Sequence, residues 1–347
     1  MRIFFSVEDR QGWQRTLHLR AALLKRGHRI VPRTPLTPRP PRGTDLWLYG
    51  LTWDPRPPMS ADAVEALRRF DRPIAFFQSD DDLTFYSHRI PQDLLERAAI
   101  FLRNQWYADE SRLPDAVRGA PRGFITPLLR YAQPVHAGEP LHARRRVAMF
   151  YGAGTGSPTN DTVGARERTV RLLRTSGLPF EGGIVEASRD SYEQPEDLAV
   201  ARISQRAHAL ALRSARICVA PWGNNPITYR LFKGLAYRCL VVAQSLGGVR
   251  FADMGLEPGV HYVEVRADLS DLVERVSYYL EHDDQAQRIA DAGHAHCTRF
   301  FTWRGLDVPD PLVDAVLATW GDVLRPVAAP SLASRLLRRA LPVLPYV

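Results

Sequence analysis

The residues with most chemical promise stand between two apolar runs. Ile217-Cys218-Val219-Ala220 leads into Pro221-Trp222-Gly223-Asn224-Asn225-Pro226-Ile227, then Thr228-Tyr229-Arg230-Leu231-Phe232-Lys233, then Leu240-Val241-Val242-Ala243. That order reads as buried strand, Gly/Asn loop, helix and buried strand. The first turn of a helix presents free N–H groups and the positive end of a dipole, so it suits an anion such as a diphosphate. Thr228 is the expected N-cap. Arg230 supplies a planar fork for phosphate oxygens, and Lys233 falls on the same helix face. Two cations near a helix N-terminus are unfavourable unless an anion is to be held; solvated side chains are the competing reading. Lys233 and Lys25 are the only lysines of the chain, which makes the position of Lys233 informative.

A second candidate is the acidic cluster Asp80-Asp81-Asp82, directly after the apolar run Ile74 to Phe77. Adjacent carboxylates raise one another's pKa, and one of them could act as a general base. A solvated acidic turn with an Asp helix cap is the competing reading. Asp80 and Asp82 also form an Asp-x-Asp pair, a pattern that can bind a metal, but nothing else in the chain supports one and no metal is expected. The loop Gly152-Ala153-Gly154-Thr155-Gly156 follows another apolar run and suits a phosphate, a dinucleotide or a tight turn equally. Trp222 could stack on a base or sugar, or be buried packing. His294 and His296 are two apart on an expected helix and do not share a face, so they are not a metal pair. Gly-Lys-Ser/Thr and Gly-x-Ser-x-Gly patterns are absent. Cys218, Cys239 and Cys297 have neither disulfide nor zinc spacing.

The elements that must position these residues follow an α/β alternation. Strands are expected at Ile3–Val7, His28–Val31, Asp45–Leu51, Pro73–Phe77 and Ile100–Arg103, with helices at 14–26 and 61–70. The pattern restarts with a strand over 147–151 and a helix over 163–176. A strand over 180–185, a helix over 197–214, strands over 217–220 and 240–243 around a helix over 228–238, one long helix over 269–300 and a helix over 311–324 follow. A chain of 347 residues is long enough for two such domains. The expected division is 1–131, a linker over 132–146, 147–305, a C-terminal helix over 306–330 and a basic amphipathic tail over 331–347. The expected fold class is α/β, two Rossmann-like domains facing across a cleft.

Thr228-Tyr229-Arg230-Leu231 and Arg238-Cys239-Leu240-Val241-Val242 resemble the donor-site helix of GT-B glycosyltransferases. The closest patterns are those of the capsule-associated, lipopolysaccharide-modifying O-glycosyltransferase family and the exostosin family. Gly152 to Gly156 with Arg166, Pro258 to Val263, Asp268 to Leu272 and Ile289 to Gly293 are similar to the first of these. The resemblance covers about 147–303. It implies that Arg230 holds the donor pyrophosphate, that Thr228, Gly152, Gly154 and Thr155 contact phosphate or sugar, and that His261 and Tyr262 lie near the donor. Arg166, Tyr229 and Lys233 complete the implied donor set. Exostosin-type helices carry Glu where Lys233 stands, and the capsule-associated loop carries Thr where Gly154 stands.

By that resemblance the substrate is a nucleotide diphosphate sugar, UDP-linked, and no permanently bound cofactor is expected. The acceptor is a glycan or lipid-linked molecule of bacterial cell-surface polysaccharide or lipopolysaccharide synthesis. The net charge of +8 is nearly all arginine. Codon bias accounts for it, or attraction to anionic partners. The arginines are scattered and no nucleic-acid motif is visible, so nucleic acid is not an expected partner. With no long apolar run, the expected location is cytoplasmic, with peripheral membrane contact open to the tail at 331–347. A non-catalytic glycan- or nucleotide-binding relative, and another sugar-nucleotide enzyme on the same scaffold, remain alternatives.

Overall fold

The computed structural model describes residues 1–8, 16–31, 39–51, 58–78, 85–125, 139–153, 164–185, 196–223, 226–302 and 307–324. Two compact units are present. The first comprises Met1–Ala132, Arg250–Ala252 and Trp303–Val347, the second Gln133–Val249 and Asp253–Thr302.

In the first unit, β1 (Arg2–Val7), α1 (Leu17–Lys25), β2 (Arg29–Val31), β3 (Leu46–Leu51), α2 (Ala61–Arg69), β4 (Ile74–Gln78), α3 (Gln92–Glu96), β5 (Ala98–Arg103), β6 (Gln105–Tyr107) and β7 (Arg122–Phe124) follow in order. Six of the strands form a parallel sheet in the order β2-β1-β3-β4-β5-β7. Both faces of the sheet are covered, so its central strands carry apolar residues at consecutive positions rather than at alternate ones. Phe4, Trp47, Phe76 and Phe101 pack on one side, and Ile3, Phe5, Leu48, Phe77 and Leu102 on the other. Ser60 caps α2, its side chain accepting from the Ala63 N–H.

The second unit repeats the design. This stretch of chain carries β8 (Arg145–Ala153), α4 (Ala165–Thr175), β9 (Phe180–Val185), β10 (Ala199–Val200), α5 (Gln205–Ser214), β11 (Ala215–Ala220), α6 (Tyr229–Ala236), β12 (Leu240–Gln244), β13 (Val249–Phe251, of which Arg250 and Phe251 belong to the first unit), β14 (Val263–Val265), α7 (Leu272–Glu281) and α8 (Asp283–Phe300). The sheet is parallel, in the order β10-β9-β8-β11-β12-β14. It grows outward one way from β8, then the chain crosses back and grows the other way from β11. The carboxyl ends of β8 and β11 are therefore the topological switch point, where open α/β sheets leave a crevice.

Several expected boundaries shift, each for a local reason. The span 132–146 is not all linker, because β8 already begins at Arg145. Arg144 is buried, donating from Nε to the Glu139 carbonyl at 2.8 Å and from Nη2 to that of Tyr237 at 3.0 Å. The helix expected over 197–214 starts at Gln205, where Ser204 caps it by accepting from the Ala207 N–H at 3.1 Å. The long helix over 269–300 is two helices that break at His282. Asp283 and Asp284 favour a new helix N-terminus there, and the His282 ring lies 2.7 Å from the Tyr278 carbonyl. The short strands β6, β7, β10 and β13 carry too few residues for a periodic signal.

Residues after 302 return to the first unit rather than standing as a separate helix over 306–330. There α9 (Asp310–Ala318) is followed by Trp320, which is buried and donates its indole N–H to the Phe124 carbonyl at 2.8 Å. The Phe124 N–H in turn donates to Thr319 Oγ1 at 2.8 Å, so the closing segment is fastened to β7. Lys25 and Arg26 of α1 each reach Asp310 at 3.0 Å; such partly exposed pairs add little compared with the buried indole. Arg250–Ala252 also belong to this unit, and β13 lies beside β6. Trp320→Ala is expected to cost about 3–5 kcal/mol in urea denaturation, as for other buried aromatics, and Trp320→Phe distinctly less.

Candidate functional site

The switch point of the second unit gathers most of the donor-set residues that are described. Arg230, in the first turn of α6, is only 3% exposed. Its Nη2 donates to the Tyr151 carbonyl of β8 at 3.2 Å, and its guanidinium carbon lies 4.5 Å from the centre of the Phe150 ring. Its Nε and Nη1 are buried with no hydrogen-bond partner among the described residues. Burial lowers the pKa of this guanidinium. A buried cation with unsatisfied donors is costly, and an anion with several acceptor oxygens is the group that offsets the cost.

Gly152 makes this placement possible. A Cβ there would stand 2.7 Å from Arg230 Nη2 and 2.7 Å from the tip of the Phe150 ring. The same device recurs one strand over. A Cβ on Gly223, just beyond β11, would collide with the Arg166 guanidinium and stand 3.2 Å from Thr228 Cγ2. Arg166 belongs to the first turn of α4, so two arginines from two helix starts lie over the carboxyl ends of neighbouring strands. Thr228 occupies the N-cap position of α6, as expected, yet its side chain makes no capping bond; its methyl lies toward Gly223 instead. Gly164, at the N-cap of α4, has none to give. Neither helix start is closed by its own cap side chain, which leaves backbone N–H groups for a ligand.

Lys233 is half-buried, with Nζ 5.1 Å from the Tyr229 ring. Burial lowers its pKa, and the Arg230 charge adds to the effect. Tyr229 itself is 52% exposed, a large amount for an aromatic ring. Trp222 donates its backbone N–H to Gln244 Oε1 and its indole N–H to the Ser245 carbonyl, both at 2.9 Å, so its ring is fixed beside the carboxyl end of β12.

One residue at this end went unread in the sequence. His208 of α5 packs edge-to-face on Tyr151, ring centres 6.2 Å apart. Burial, then the charges of Lys233 and Arg230, hold it down to about 4. No spacing rule connects position 208 to 230; only the fold does.

His261 and Tyr262 do not join the set. They precede β14, at its amino end, whereas Arg230 and Arg166 lie at the carboxyl ends of parallel strands. The His261 ring stands 4.5 Å from that of His296, and its Nδ1 accepts from the Glu257 N–H at 3.0 Å. The Gly293 position lets α8 approach the His261 carbonyl, a packing role. Asp80, Asp81, Asp82, Gly154 and Thr155 lie outside the described residues. Among the described residues no three His, Cys, Asp or Glu side chains group to hold a metal, and no helix is long and apolar enough to cross a membrane.

The first unit has a buried pair at its own switch point, between β1 and β3. Arg89 is 4% exposed and donates from Nη2 to both carboxylate oxygens of Glu8, at 3.0 and 2.9 Å. Burial, then the Glu8 charge, raise the Tyr49 phenol beside them.

Residues 166–305 match the protein family described as Glycosyl transferase-like. Over 203 residues, 53% of this chain and 20% of its counterpart, the sequence is 27% identical to uncharacterized protein 027R of Frog virus 3 (isolate Goorha). Over 38 residues, 11% of this chain and 8% of the relative, it is 50% identical to protein O-glucosyltransferase 2 of Danio rerio. The chain thus spans a fifth or less of the length of either relative. The fold is similar to that of HepE from Anabaena, in complex with UDP, with a TM-score of 0.50 at 13% identity, covering 92% of this chain and 100% of HepE. Two parallel-sheet α/β units with this likeness define the class: the fold is GT-B, that of GT-B glycosyltransferases. Within it, residues 166–305 are the part that matches the Glycosyl transferase-like family.

Arg230→Met is expected to stabilise the ligand-free protein by about 1–4 kcal/mol in urea denaturation, because an unsatisfied buried cation is replaced by an apolar chain of similar length. The same variant loses anion binding. Acid stability gives a second check. The folded His208 value of about 4 lies below its ordinary 6.5, so the unfolded chain binds the extra proton first. Stability therefore falls as pH drops from 6.5 toward 4 and is unaffected by this group above 6.5. His208→Gln flattens that part of the profile of urea midpoint against pH.

Proposed function

We propose that this chain transfers a sugar from a UDP-linked donor to a hydroxyl group of a glycan or lipid-linked acceptor, in the building of a cell-surface polysaccharide. The single observation that carries the reading is Arg230: buried, held in place through Gly152 and Tyr151, with Nε and Nη1 unsatisfied at the switch point. A diphosphate presents the oxygens those donors require. The UDP complex of HepE, a protein of similar fold, supports the choice of nucleotide. The O-glucosyltransferase name of the Danio rerio relative supports an acceptor hydroxyl.

In the transfer, the bond between the sugar C1 and the diphosphate oxygen breaks, and the diphosphate leaves with the electron pair. The acceptor oxygen forms the new bond to C1. Arg230, Arg166 and Lys233, with the N–H groups of the α6 start, stabilise the negative charge that develops on the leaving diphosphate. Such stabilisation is largest where water is excluded, as around Arg230. If the transfer inverts C1, the acceptor proton goes to a general base, which we place at Asp80, Asp81 or Asp82. The proposed setting is the cytoplasmic face of a membrane, approached through the basic tail at 331–347, which lies outside the described residues.

The test is thermal denaturation with and without UDP and UDP-glucose at roughly a hundredfold excess over Kd. A bound ligand at that excess adds about 2.7 kcal/mol, a shift of a few degrees. The shift is expected for the wild type and absent for Arg230→Ala. No shift in the wild type with any nucleoside diphosphate at ~1 mM would sink the donor assignment.

A further inference from the structure

We propose that His208 is a working part of the donor site, and that it takes up a proton when the diphosphate of a nucleotide sugar binds. The inference rests on the donor-site reading above and deepens it, because it gives that site a residue whose charge changes with occupancy.

The geometry is a short relay. The ring of His208 stands on the ring of Tyr151 with centres 6.2 Å apart, and the carbonyl of the same Tyr151 holds Arg230 at 3.2 Å. His208 lies on α5, Tyr151 on β8, and Arg230 and Lys233 on α6, so three elements converge on one spot. The groups that act on His208 are Lys233 and Arg230, both cations. The Tyr151 hydroxyl lies 3.1 Å from Glu181 Oε1 of β9, and Glu181 pairs with Arg145. The nearest carboxylate in this relay therefore already has a cation.

In the ligand-free site the histidine is neutral, because its ring is largely removed from water and two positive charges stand close by. A bound diphosphate brings two negative charges to those same cations. The repulsion that kept the ring neutral is then cancelled, and the imidazolium becomes favourable where the imidazole was before. Proton uptake and ligand binding must strengthen one another, since the linkage is reciprocal. The balance is simple: one proton moves from buffer to the His208 ring for each ligand bound at full coupling, and no bond of the sugar nucleotide changes.

A physical benefit follows for the reaction. A protonated His208 adds its charge to those of Lys233 and Arg230, which act on it, and it does so only while the diphosphate is present. The empty site is spared one more like charge, whose mutual repulsion would otherwise weaken the fold. A permanently charged Lys or Arg at position 208 would lack that economy.

The experiment is isothermal titration calorimetry of the full chain with UDP-glucose, at about pH 5.5 and about pH 7.5, in several buffers of different ionisation enthalpy. UDP-glucose is preferred over UDP because its diphosphate is esterified at both ends and does not itself titrate in this range. The expected result at the lower pH is a binding enthalpy that depends on the buffer, with roughly half a proton or more taken up per ligand, and little uptake at the higher pH. At full coupling the affinity tightens about tenfold per pH unit fallen. His208→Gln is expected to bind UDP-glucose with no buffer dependence and a flat pH profile. Wild-type binding without proton uptake overturns the inference and leaves the donor-site reading intact. Uptake that persists in His208→Gln overturns it also, by placing the proton elsewhere. Absence of wild-type binding at both pH values overturns the donor-site reading and the inference with it.

Discussion

A guanidinium buried with two of its nitrogens unsatisfied is the constraint around which the second unit is arranged. Arg230 lies against the Phe150 ring and the Tyr151 carbonyl, and among the described residues only its Nη2 has a hydrogen-bond partner. Left alone, it costs stability that the fold must make good elsewhere. The sheet around it makes that possible: β8, β11 and β12 are apolar along almost their whole length, and both faces are covered by helices. Gly152 and Gly223 matter for the same reason, since each keeps open the space that an arginine head occupies. Residues that look like loop punctuation in the sequence are thus the negative image of two cations.

The topology explains why this spot and no other. All six strands of the sheet run parallel, so every helix that follows a strand begins near the carboxyl edge. Only between β8 and β11 do the connections diverge to opposite sides of the sheet and leave room above the strand ends. Helices α4 and α6 both start there, and both contribute an arginine from the first turn. The positive ends of two dipoles and two arginines oppose one another in the empty site. That mutual opposition is relieved by a polyanion, which is the chemical character of a nucleoside diphosphate.

Much of this was legible in the sequence because it is local. The order strand, Gly/Asn loop, Thr228, Arg230, Lys233, strand identifies a helix start after a buried strand from spacing alone. The two α/β halves were legible too, since runs such as Leu46–Leu51 and Leu240–Ala243 are apolar without a break. What escaped is non-local. His208 reaches Tyr151 only because α5 folds back over β8, and Glu8 meets Arg89 across 81 positions. His261 was drawn into the site by family pattern, but the parallel sheet sets it at the amino end of β14. Likewise the segment around Trp320 returns to the first unit through its indole bond to Phe124 and the Phe124–Thr319 bond beside it, which no periodicity announces. Basic residues were the least readable class. Arg144, read as part of a linker, is a buried structural donor to Tyr237 and Glu139, whereas Arg230 is buried with donors to spare. The difference lies in their partners, and partners are a property of the fold.

A crystal structure of the chain with UDP-glucose bound examines the central point most directly. The expected result places diphosphate oxygens within hydrogen-bond reach, about 2.7–3.2 Å, of Arg230 Nε or Nη1, with Arg166 and the α6 N–H groups on the same oxygens. A nucleotide bound elsewhere on the chain, with Nε and Nη1 of Arg230 still unsatisfied beneath an empty switch point, would contradict it.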